Sequence, residues 1–154
     1  KAQQIVEWAQ TSQDDQGWTA RGLNQFNRYW MAENLNIYTP AGSWYYDNDS
    51  ASYSSVYGRL YDWATVMNGE TSSTANPSGV QGICPAGWHL PSDVEWTELE
   101  NYLTDNGFGY EGSGDDIAKS LAATSNWTAS TTLGEPGNDL ESNNSSGFNS
   151  RTGD

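Results

Sequence analysis

The sequence predicts a single domain that mixes extended and helical segments, and three observations predict it: an extended, aromatic-bearing segment over residues 27–37, helix signals near residues 60, 92 and 117, and long polar runs of Ser, Thr, Asn, Asp and Gly between them. At 154 residues the chain suits one core better than two. Apolar residues make up only 35%, so eight Trp and nine Tyr must supply much of the buried surface. The core should therefore be rich in aromatic rings.

Taken in order, residues 1–23 read as an N-terminal extension or as an arm that docks on a neighbouring subunit, and residues 24–154 as the domain proper. Within the extension, Ile5-Val6-Glu7-Trp8-Ala9 suits a strand or one helical turn. Residues 27–37 read as extended, and residues 41–55 as a loop with small turns. Leu60, Trp63, Ala64 and Met67 recur with helical spacing up to Asn68-Gly69, which predicts a core-facing helix. Residues 70–82 are a loop. Pro85, Gly87 and Pro91 then make a rigid turn, and Ser92 stands three residues before Glu95 in a capping-box arrangement. From there Trp96, Leu99 and Leu103 form one apolar face, with Glu95, Glu98 and Glu100 directed elsewhere, until Asn106-Gly107 ends the helix. A third short helix is predicted over residues 117–123, with Asp115 and Asp116 suited to its positive end. From Thr128 onward the chain is almost wholly polar.

Charge narrows the functional classes. Six basic residues face twenty acidic ones, for a net charge of −14, so the phosphate-neutralising term of nucleic-acid binding is missing and anionic membrane surfaces are disfavoured too. No stretch approaches the roughly 18 consecutive apolar residues of a membrane span. The first residues lack the plan of a signal peptide.

Three blocks carry a resemblance to a known family. Trp30-Met31-Ala32-Glu33-Asn34-Leu35-Asn36, then Tyr57-Gly58-Arg59-Leu60-Tyr61-Asp62-Trp63-Ala64 with Met67-Asn68, then Cys84-Pro85-Ala86-Gly87-Trp88-His89-Leu90-Pro91-Ser92-Asp93-Val94-Glu95-Trp96 follow one another in the order and approximate spacing of the Fibrobacter succinogenes major paralogous domain (FISUMP) family. The resemblance covers roughly residues 24–150. It implies a compact α+β domain related to the C-type-lectin and formylglycine-generating-enzyme class, with two or three short helices, a small antiparallel sheet and long irregular loops. It makes Trp30, Asn34, Trp63, Cys84, Trp88, His89, Pro91, Ser92, Glu95 and Trp96 structural signature residues. It also implies a secreted or surface-attached bacterial protein, so that the chain would begin after processing. Family members continue past a segment like Gly147-Phe148-Asn149 into further strands that carry a second cysteine, and against that pattern this sequence reads as C-terminally shortened: a part lost, a shortened variant, or strands supplied by another chain. Without the partner, Cys84 is expected to be a buried, uncrosslinked thiol, with an intermolecular disulfide as the alternative.

The candidate sites are modest. His89 is the only histidine and reads as a structural residue held within the signature turn, not as a catalytic base. No residue set is assigned catalysis, and the absence of a cysteine pair argues against formylglycine-generating chemistry. Trp44, Tyr45, Tyr46 and Tyr53 are the candidates for stacking on sugar rings, although packing within the protein is the simpler role for them. Calcium is the one cofactor considered: Asp47 and Asp49 with Asn48, and Asn138, Asp139 and Glu141, offer the oxygen ligands a hard cation takes, but without EF-hand spacing. Glu135-Pro136-Gly137-Asn138 is similar to the E-P-N loop of C-type lectins, with an inserted Gly that breaks its spacing. The function expected is a non-enzymatic extracellular module, a structural or adhesive subunit of an assembly such as a fibre, partnered by itself or another surface protein. A monomeric carbohydrate-binding adhesin is the alternative, and an enzyme the third choice.

Overall fold

The computed structural model describes residues 8–9, 20–21, 29–31 and 33–151. Strands β1 (Trp8–Ala9), β2 (Ala20–Arg21), β3 (Tyr29–Met31) and β6 (Trp88–His89) form an antiparallel sheet in the order β2-β3-β1-β6. In its register Trp8 pairs with both Trp30 and His89. A second, two-stranded antiparallel sheet joins β4 (Ser43–Trp44) to β5 (Leu60–Tyr61). Four helices accompany the sheets: α1 (Ser50–Tyr57), α2 (Trp63–Met67), α3 (Asp93–Asp105) and α4 (Ala118–Leu121). The α+β class expected from the sequence is the class observed. Of residues 1–23, only the four in β1 and β2 are described, so the docking-arm reading lies outside the described residues.

Strand alternation divides the core. Met31 and Trp30 are adjacent on β3 and both buried, so their side chains enter opposite sides of the sheet. Met31 joins Leu35, Tyr61, Val66, Met67, Val80, Cys84, Trp88 and Leu90. Trp30 joins Leu99, Leu103 and Phe148, with Trp96 packed against them. The Trp30 and Trp96 rings lie 4.6 Å apart, and Phe148 meets them at 5.9 and 6.2 Å. Aromatic rings thus bind β3, α3 and the C-terminal segment into one cluster, as the composition predicts.

The signature blocks hold the loops in place. Asn34 Nδ2 donates to the carbonyl of Tyr57 at the end of α1, Arg59 N donates to Leu35 O, and the Tyr61 hydroxyl donates to Ile37 O. Residues 34–37 therefore run beside residues 57–61 without forming a ladder. Near the C-terminal end, Ser150 N donates to Leu121 O and Ala123 N to Ser150 O, which seats Phe148 in its cluster. Cys84 is buried and outside any disulfide. Among the described residues, no helix is long and apolar enough to cross a membrane.

Several expectations need correction. Residues 50–57 are helical, not loop: Asp49 Oδ1 accepts from Ser52 N and starts α1. The helix expected from Leu60 begins at Trp63, because Leu60 and Tyr61 pair with β4 and Asp62 caps the helix by accepting from Thr65 N at 2.8 Å. Its buried residues are Val66 and Met67, while Trp63 is 60% exposed, so Trp63 is not core. The third predicted helix is only Ala118–Leu121, and no side chain caps its start. Helix α3 is as predicted, capping box included, except that Glu95 does not face away from the core. It is completely buried.

Candidate functional site

Glu95 is buried because it is used locally. Its Oε2 accepts from Ser92 N at 2.9 Å and from Ser78 N at 3.1 Å, and its Oε1 lies 2.9 Å from Nε2 of His89. Burial pushes the carboxyl pKa up, but the hydrogen bonds from His89, Ser92 and Ser78 with the attraction of His89 outweigh it and hold the group below its ordinary value. Ser78 Oγ donates to Leu90 O, and Ser92 Oγ accepts from Glu95 N. His89 lies on the face of β6 opposite the buried Trp88.

A second polar centre was not foreseen. Lys119, on α4, is buried, and its ammonium donates to the carbonyl of Asn138, to Asp139 O at 3.1 Å, to Glu135 O at 3.4 Å and to Asn143 Oδ1 at 2.9 Å. Asn143 Nδ2 in turn donates to Ala123 O and Pro136 O. The loop whose acids suggested calcium therefore turns its carbonyls toward a lysine, while Asp139 and Glu141 stay exposed. Asp49 is committed to capping α1, and hydrogen bonds from the Ser52 side chain and backbone hold its pKa low. Among the described residues, no group of three or more His, Cys, Asp or Glu side chains converges to hold a metal.

The four candidate sugar-stacking rings separate. Tyr46 and Tyr53 meet edge-on at 5.1 Å and both pack on Tyr57, so they are largely occupied with one another. Tyr45 lies over the Arg59 guanidinium at 4.3 Å, and Tyr38 covers the same group at 5.1 Å. Trp44, at 37% exposure, remains at the surface together with Tyr38 at 71%. Both belong to β4 or the loop before it. Gly42 lets that strand approach α2: its φ is +73°, and a Cβ there would lie 1.8 Å from Thr65 Oγ1.

Arg59 lies on the side of β4 that carries Ser43 and Tyr45, opposite Trp44. It is only 7% exposed, and its Nε and Nη2 donate to Ser43 Oγ at 3.0 Å and Ser43 O at 3.3 Å. Among the described residues no carboxylate pairs with it. Burying a charge costs several kcal/mol. Two ring faces at about 0.5–2 kcal/mol each, with two hydrogen bonds near 1 kcal/mol each, offset much of that. Sequence reasoning passed over both Arg59 and Tyr38. The available signal was one of only six basic residues standing in a Tyr-rich stretch of an acidic chain.

The fold and this face define a small α+β module with a surface of exposed aromatic side chains. The chain belongs to the Fibrobacter succinogenes major domain family, whose model matches residues 25–153. No curated protein and no solved structure matches it.

Proposed function

We propose that the chain is a non-enzymatic, extracellular bacterial surface module that acts as a structural or adhesive subunit of a surface assembly. The supporting observation is that, among the described residues, the most exposed large aromatic side chains, Tyr38, Trp44 and Trp63, all come from the β4–β5 sheet or the residues flanking it. Exposed aromatic surface of this kind suits contact with another chain or with a sugar ring. The best-ordered acid–base pair, His89 with Glu95, is meanwhile engaged in holding a turn. A net charge of −14 favours solubility outside an assembly.

Light scattering on the purified chain, with electron microscopy of the same sample in calcium and in chelator, tests the reading. Regular polymers or large defined species support a structural subunit. A monomer that binds glycans supports the second reading, a carbohydrate-binding adhesin, which the outward position of Tyr38 and Trp44 favours. A monomer that turns over a substrate, and loses turnover on His89→Ala, defeats both.

A further inference from the structure

We infer that Arg59, covered by the rings of Tyr38 and Tyr45, is a recognition site for an isolated carboxylate on an otherwise neutral glycan, such as a single uronic-acid residue. The inference rests on the adhesive reading above and names its ligand class. Two buried cations without a carboxylate partner stand among the described residues, and they differ in how fully they are used. Lys119 has three donors and meets four oxygens, so nothing remains to offer a ligand. Arg59 has five N–H donors, of which the protein uses two, both on Ser43. Its Nη1 has no acceptor among the described residues and, unlike Trp127 Nε1, is not fully enclosed. A guanidinium that keeps one edge open presents parallel donors suited to a planar carboxylate.

The flanking rings decide the kind of carboxylate. Tyr38, at 71% exposure and in contact with the guanidinium, offers an apolar ring beside the charged group, which suits the CH face of a pyranose. The net charge of −14 decides how many charges the ligand carries. A polyanion would be repelled by the whole molecule, whereas a lone carboxylate feels mainly its contact with Arg59, since charge–charge interactions are screened beyond about 8 Å at physiological salt. An uncharged sugar would leave the open donors of Arg59 facing water.

The test is calorimetric titration of the full chain with a neutral oligosaccharide bearing one glucuronate, against the same oligosaccharide with its carboxyl reduced to a primary alcohol. The acidic form is expected to bind about tenfold more tightly or better. Tyr38→Ala, at an exposed position, and Arg59→Lys, which keeps the charge but loses the fork, should each weaken binding of the acidic form by about tenfold. If Arg59→Lys loses its near-ultraviolet dichroism, Tyr38→Ala alone carries the result. Equal affinity for the two sugars overturns the carboxylate site and leaves the adhesive reading standing. Binding of neither overturns the site and the carbohydrate reading together. Tighter binding of a short peptide through its C-terminal carboxylate, abolished by amidation, overturns the sugar as the source of the carboxylate.

Discussion

The imidazole Nε2 of His89 lies 2.9 Å from Oε1 of Glu95, a carboxylate with no solvent exposure whose other oxygen accepts two backbone N–H groups. One side chain therefore joins three pieces of chain: β6, the segment at Ser78, and the first turn of α3. The capping box supplies the local reason for Glu95, and the sheet supplies His89. A buried carboxylate in this arrangement is costly to lose, because each partner left behind is a donor without an acceptor.

Stability should fall in acid through Glu95. Its folded pKa lies below the ordinary 4.5, so its contribution is fully present above that value and is lost as pH falls through the lowered one. Glu95→Gln should destabilise the protein by about 1–2 kcal/mol near neutrality, since its amide oxygen still accepts from Ser78 N and Ser92 N but the charge that strengthens those bonds is gone and the NH2 group faces His89 in place of an acceptor. The gap between wild type and variant should narrow as pH drops from about 6 to about 3. Urea midpoints measured across that range check this, and a gap that stays constant with pH would refute it.

Trp96→Ala should cost about 3 kcal/mol, the lower end of the range for large aromatic deletions, because the ring is half-buried between Trp30 and Phe148. Trp96→Phe should cost less. The denaturant midpoint is the readout, and an unchanged midpoint for the alanine variant would show that the aromatic cluster does not carry the junction of β3, α3 and the C-terminal segment.

Cys84 should resist thiol reagents in the native protein and react rapidly in denaturant. The side chain is buried in the cluster with Met67, Trp88 and Leu90, so reagent access requires opening of that core. The labelling rate should track global stability across variants such as Trp96→Ala. Fast labelling at full stability would place the thiol at the surface instead.

Much of the fold was legible where local rules act within a few residues. Ser92 with Glu95 announces α3, and Asn106-Gly107 ends it. The class of the domain came mainly from the resemblance of its three blocks to the family, and the aromatic core from the Trp and Tyr content. Long-range pairing was not: Leu60 has helical spacing to Ala64 and Met67, yet β4 claims it, and Trp63 is left outside. The spacing of glutamates along α3 likewise implied outward faces, while a histidine across the turn drew Glu95 inward. At the candidate site, Trp44 and Tyr45 were nameable from the sequence, but Tyr38 reaches Arg59 only through the chain's return 21 residues later. Lys119 escaped notice because its partners are mainly backbone carbonyls, which no residue type advertises.

The C-terminal loop should owe its order to Lys119 and not to calcium. Four oxygens converge on the ammonium, and with it removed they would face one another unpaired and the segment from Glu135 to Asn143 would lose its anchor to α4. Lys119→Met, close in length but uncharged, should therefore cost about 3–5 kcal/mol, the scale for removing one partner of a buried charged cluster. Calcium should not restore it: three carbonyls and an amide oxygen fall short of the six to eight ligands the ion takes, and no carboxylate joins them. Thermal midpoints of wild type and Lys119→Met, each with millimolar calcium and with chelator, give the answer. A variant that recovers wild-type stability in calcium would show that the loop is a cation site which the lysine fills in place of the ion.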